Sequence, residues 1–87
     1  SIELIRERSL DPFFHLNVSI YDHNINVKNA RVEVIRRPPK VSFIYPDELK
    51  NVLAPVDQKK LELEMLNKIV EYIIESSDVR GNHSSVK

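Results

Sequence analysis

The chain has 87 residues, no cysteine and a formal net charge of zero. A chain of this length forms at most one small domain, and it buries only roughly 60–65% of the surface that it exposes when unfolded. The lack of cysteine excludes disulfide bonds and cysteine-based zinc sites. The zero net charge excludes a strong overall attraction for nucleic acid or for an anionic membrane.

The first part of the chain predicts one short helical segment and one strand. Residues 2–8 are compatible with one or two helical turns, or with the end of a longer helix. Over residues 14–21 apolar and polar side chains alternate, which is the pattern of a half-buried strand. Asp and Asn in the stretch 22–24 favour a turn, because their side chains bond to the backbone and tolerate the left-handed conformation.

More β-structure is predicted after this turn. The alternation continues over 25–27, residues 28–29 have the composition of a second turn, and residues 30–37 are rich in β-branched side chains. The two prolines at 38–39 interrupt the strand, because proline has no N–H for a ladder. A last strand is predicted over 40–45.

A short helix is predicted to begin after Pro46. Proline presets the backbone for a helix start, and Asp47 and Glu48 follow it, where acids interact favourably with the helix dipole. Pro55 predicts that this helix ends near Leu53.

A second, longer helix is predicted over residues 58–76, with Asp57 as its cap. At 100° per residue its apolar side chains cover about 220° of the helix circumference, roughly twice the width needed to lie on one sheet. We expect a second copy of the chain to cover the surplus; the alternative is cover by the N-terminal segment or by the short helix. The predicted homodimer interface consists of Leu61, Met65, Leu66, Ile69, Tyr72 and Ile73.

Together these elements predict a small α+β domain over residues 1–76. Its antiparallel sheet of three to four strands packs on the long C-terminal helix, and a short helix precedes that helix. Residues 77–87 are polar and are predicted to form a disordered tail.

Catalysis and metal binding are not indicated by the sequence. The three histidines, His15, His23 and His83, are predicted to lie on a strand, in a turn and in the tail, without the convergent spacing of a metal site. The serines lack the glycine-framed elbow of hydrolases, and the single glycine excludes phosphate-binding glycine loops. We therefore predict no enzyme activity and no cofactor.

The segment 28–40 is the most basic part of the chain. It carries one acidic residue, Glu33, and five positive ones: Lys28, Arg31, Arg36, Arg37 and Lys40. A basic β-surface can contact phosphates, whereas charges on an exposed strand also prevent unwanted strand pairing. The second interpretation is favoured, and contact with nucleic acid or an acidic partner is kept as the alternative.

The sequence thus predicts a non-catalytic protein–protein interaction or assembly module that homodimerises through the helix over 58–76. The alternative is a small dimeric nucleic-acid-binding protein that uses the basic segment 28–40. The expected partner is a second copy or another protein, with no membrane partner and no small-molecule substrate. No apolar run reaches about 20 residues and no signal-peptide core is present, which indicates a cytoplasmic or other intracellular location.

Overall fold

The computed structural model describes the backbone of residues 1–22 and 24–85, and the side chains of residues 1–22 and 24–76. The elements in chain order are β1 (Ile2–Leu4), a 3-10 turn (Arg6–Arg8), β2 (Phe13–Tyr21), β3 (Asn26–Arg37), β4 (Lys40–Ile44), α1 (Asp47–Lys50) and α2 (Pro55–Ser85). The strands form one antiparallel sheet in the order β1-β2-β3-β4, which confirms the predicted α+β fold. The predicted tail over 77–87 lies outside the described side chains.

The N-terminal segment is a strand where helical turns were predicted. Ile2 pairs with Val18 and Leu4 pairs with Leu16 at the edge of the sheet, and the helical tendency is limited to the 3-10 turn. An isolated helix of two turns is costly to nucleate. Pairing with β2 instead satisfies the backbone and packs Ile2 and Leu4 against the core.

β3 is one continuous strand where a turn at 28–29 was predicted. The pairing with β2 shifts register between Val18 and Ile20, so the extra residue forms a β-bulge. Asn29 adopts the left-handed conformation with φ 55°, which asparagine tolerates better than most residues. Its N–H donates to Ser19 Oγ at 3.0 Å. The predicted turn is therefore wrong, although the asparagine does mark a local change of backbone direction.

The two helices differ from their predicted bounds. α1 ends at Lys50, before the predicted end near Leu53. Pro55 begins α2 instead of only ending the helix before it, because proline fits the first helical turn, where its missing N–H needs no partner. The first N–H of the helix ladder is that of Gln58, which donates to Ala54 O at 2.9 Å.

The core lies between α2 and one face of the sheet. Its buried side chains come from β2, β3, α1 and α2: Phe14, Leu16, Val18, Val27, Ala30, Val32, Val34, Leu49, Leu61, Met65 and Ile69. The ring of Tyr72 on α2 meets that of Phe14 edge-on, with 6.2 Å between centroids. The opposite face of the sheet is covered by no element of the described chain, and it carries mostly polar side chains.

Candidate functional site

α2 uses one side of its apolar surface to build the chain's own core. Of the six residues predicted to form a homodimer interface, Leu61, Met65 and Ile69 are buried against the sheet. The other three are half-buried: Leu66, Tyr72 and Ile73. Half of the predicted interface residues are thus fully buried within one copy and the other half partly, and dimerisation itself stays a prediction.

A second set of apolar side chains on α2 points away from the core. This outer row consists of Val56, Leu63, Val70 and Ile74, whose exposed fractions are 65%, 64%, 49% and 52%. The first three recur every seven residues. Half-buried Leu66 lies three residues after Leu63 and four before Val70, and half-buried Ile73 lies three residues after Val70. This is the spacing with which one helix packs against another.

The sequence does not predict the outer row as a separate surface, because helical periodicity alone shows only one broad apolar face. The width of that face was the correct signal, since an apolar stripe of about 220° exceeds what one sheet covers. Which apolar side chains face the sheet and which face solvent depends on how α2 is rotated about its own axis. The sequence of the helix alone does not specify this rotation.

A hydrogen-bonded group connects the segment after β4 to the first half of α2. The hydroxyl of Tyr45 donates to Glu62 Oε2 at 2.9 Å, and Gln58 Nε2 donates to the same oxygen at 3.2 Å. Burial raises the pKa of Tyr45 above its ordinary value, and the hydrogen bond to Glu62 and its negative charge raise it further. The neutral hydroxyl therefore joins the two elements, because the carboxylate needs a donor there.

Because of this contact, the free energy of unfolding is expected to fall at alkaline pH. Because the folded state favours neutral Tyr45, the stabilisation is complete below the unfolded pKa of about 10 and is lost as the pH rises above it. We expect the difference in unfolding free energy between wild type and Tyr45→Phe to be constant from pH 7 to 9 and to shift against the wild type from pH 10 upward. Urea titrations across this range measure it, and a constant difference up to pH 11 would contradict the contact.

The part of α2 around residues 72–75 is held by the N-terminal segment. Arg6 forms an exposed salt bridge with Glu75, and its guanidinium carbon lies 5.3 Å from the ring centroid of Tyr72. The hydroxyl of Tyr72 donates to Ser9 O at 3.4 Å. These contacts and the Tyr45 group anchor α2 on its two flanks and leave the outer row exposed.

The basic segment is brought together only at the turn between β3 and β4. Arg37 and Lys40 are cross-strand partners and share the open face of the sheet, where the Arg37 guanidinium carbon lies 5.4 Å from the ring centroid of Phe13. Arg36 lies on the other face, and its Nη2 is 3.5 Å from Asp11 Oδ2.

The other two predicted contact residues lie away from this turn. Arg31 Nε donates to Asn17 Oδ1 at 3.3 Å in the middle of the sheet. Lys28 is exposed beside the β-bulge, about 30 Å along the strand from Arg37 at 3.3 Å per residue. The five charges therefore do not form one continuous basic surface.

The histidines show no catalytic or metal-binding arrangement in the described residues. His15 Nε2 lies 4.0 Å from Glu33 Oε2 on the open face of the sheet. His23 and the side chain of His83 are outside the described part of the chain. Elsewhere in residues 1–22 and 24–76, no three histidine or acidic side chains converge in the way a metal site needs.

One groove lies between the sheet edge and the first half of α2. Its volume is about 480 Å³, and apolar residues such as Ile2 and Ile20 line it together with charged ones such as Lys60 and Glu64.

Within the described residues, no helix has both the length and the apolar content needed to cross a membrane. Comparison of the chain with protein-family models, with curated proteins and with solved structures found no match.

Proposed function

We propose that this chain is a non-catalytic protein–protein interaction module that associates with a second copy of itself through the outer row of α2. The observation that carries the proposal is that four large apolar side chains stay exposed on one helix whose other side already fills the core. Contiguous apolar surface on a monomer is typical of an interaction site.

A second copy is a suitable partner for two reasons. A two-fold contact uses the same patch on both copies, so an apolar row on a helix complements itself without a second specialised surface. A small domain also buries a smaller fraction of its surface than a large one, so its stability is marginal, and association with a second copy adds apolar burial. The partner's outer row would insert between Leu63, Leu66 and Val70 as knobs into holes.

The test replaces two outer-row residues by a neutral polar side chain. The double variant Leu63→Gln/Val70→Gln removes four apolar side chains from each dimer. At about 1 kcal/mol for each side chain, we expect the dissociation constant to rise about 100- to 1000-fold. Sedimentation equilibrium of wild type and variant from micromolar to several hundred micromolar measures this change.

A matched control introduces the same side chains outside α2, at exposed positions on β3 and α1. Lys28→Gln/Glu48→Gln removes one positive and one negative charge, so the net charge is unchanged, and the dissociation constant should equal that of the wild type. Circular dichroism checks that both double variants keep the fold. A wild-type chain that stays monomeric at several hundred micromolar would contradict the proposal.

The nucleic-acid alternative has weaker support. Arg31 and Arg36 are engaged with Asn17 and Asp11, which leaves mainly Arg37 and Lys40 side by side. Phosphate-driven affinity grows with the number of neutralised phosphates. Two adjacent cations on each copy contribute little of this affinity, so self-association is the function we propose.

A further inference from the structure

We infer that two copies pair with their α2 helices antiparallel, so that Lys60 of each copy lies against Glu71 of the other and Leu63 lies against the second copy's Val70. The inference rests on the proposed self-association and adds its direction.

The charges along α2 are asymmetric in a way that distinguishes the two directions. Lys59 and Lys60 lie near the start of the helix, and Glu71 and Glu75 lie about three turns later. Glu75 is engaged by Arg6, whereas neither Lys60 nor Glu71 has an ion pair within the described residues. In a parallel pair the basic starts of the two helices lie at the same level and so do their acidic later turns, while an antiparallel pair brings the basic start of each helix beside the acidic part of the other.

Lys60 and Glu71 also lie on the same flank of the helix. At 100° per residue they are about 20° apart around the axis, and both are roughly 60–80° from Leu63. They line neighbouring grooves on the β1 side of α2. In an antiparallel pair each flank faces the same flank of the partner helix, so this arrangement lets the two charges meet beside the apolar contact.

The register follows from the outer row. A two-fold axis that passes between positions 66 and 67 places Leu63 opposite the second copy's Val70, with two equivalent apolar contacts in each dimer. With this axis the Glu71 of one copy lies about 3 Å along the helix from the Lys60 of the other. The long lysine side chain spans this offset, so the apolar contacts and the charge pairs are satisfied by one register.

Single cysteines test the direction, because the native chain has none. Positions 63 and 70 are about 10 Å apart along the helix, whereas a disulfide needs Cα atoms about 4.4–6.8 Å apart. On oxidation of a mixture of Leu63→Cys and Val70→Cys chains above the dissociation constant, we expect the mixed disulfide to dominate in intact mass spectra. Each variant alone should give at least about tenfold less cross-linked product.

Exchange of the two charges is the second measurement. Lys60→Glu alone and Glu71→Lys alone should each weaken the wild-type dimer about tenfold or more, and Lys60→Glu/Glu71→Lys should restore it to within about threefold. If the dimer mass persists but each cysteine variant cross-links to itself, or if the exchange restores nothing, the antiparallel direction is wrong and self-association stands. A monomeric wild type would contradict both proposals.

Discussion

Replacement of Phe14 by alanine is expected to lower the free energy of unfolding by about 3–5 kcal/mol. The Phe14 side chain is fully buried in the middle of the core, and its ring makes the edge-on contact with Tyr72. Truncation removes apolar burial, leaves a cavity beneath α2 and removes an aromatic pair, and these losses act in the same direction. Urea denaturation followed by circular dichroism measures the change.

Phe13→Ala is the matched control for this prediction. Phe13 precedes Phe14 on β2 but lies on the open face of the sheet, where 39% of the residue is exposed and Arg37 covers part of the ring. We expect a loss of about 1 kcal/mol, from partial burial and the cation–π contact. Equal losses for the two phenylalanines would contradict the placement of α2 over the face that carries Phe14.

Replacement of Ile69 by alanine is expected to cost about 2–5 kcal/mol of folding free energy. Ile69 is fully buried against the sheet, so its truncation leaves a cavity within one copy of the chain. The loss should therefore be seen at low protein concentration, where a dimer has dissociated. The midpoint of urea unfolding at about 1 micromolar measures it.

Val70→Ala separates the two sides of the helix. Val70 is adjacent to Ile69 but is 49% exposed on the outer row, so we expect the monomer to lose less than about 1 kcal/mol. The same variant should raise the dissociation constant of the dimer. If Val70→Ala destabilised the dilute monomer as strongly as Ile69→Ala, the outer row would be part of the core and the proposed surface would not exist.

Part of the candidate site could be predicted from the sequence, and part could not. Excess apolar width on the helix over 58–76 correctly indicated that one sheet does not cover α2. The sequence predicts Met65 and Ile69 as contacts for a second copy, whereas the rotation of the helix on the sheet buries both in the core of one copy. That rotation depends on contacts from distant parts of the chain, such as the hydroxyl of Tyr45 on Glu62 and Arg6 on Glu75.

The basic segment shows the same limit. Its five positive residues are close in sequence, but a strand spreads them over about 30 Å and alternates them between two faces. Only the register of β3 with β4 shows that Arg37 and Lys40 are neighbours. The side-chain partners of Arg31 and Arg36 come from β2 and from the segment before it, which no local pattern indicates.

The sequence by itself determined the fold class, the strand over 14–21, the break at Pro38–Pro39 and the long helix, because these features depend on local periodicity and on the backbone chemistry of proline. The tertiary structure decided the strand at Ile2–Leu4, the bulge at Asn29 and the free side of α2. Each of these depends on a partner element that is distant in the chain, and the free energy of that pairing outweighs the weak local preference of the segment itself.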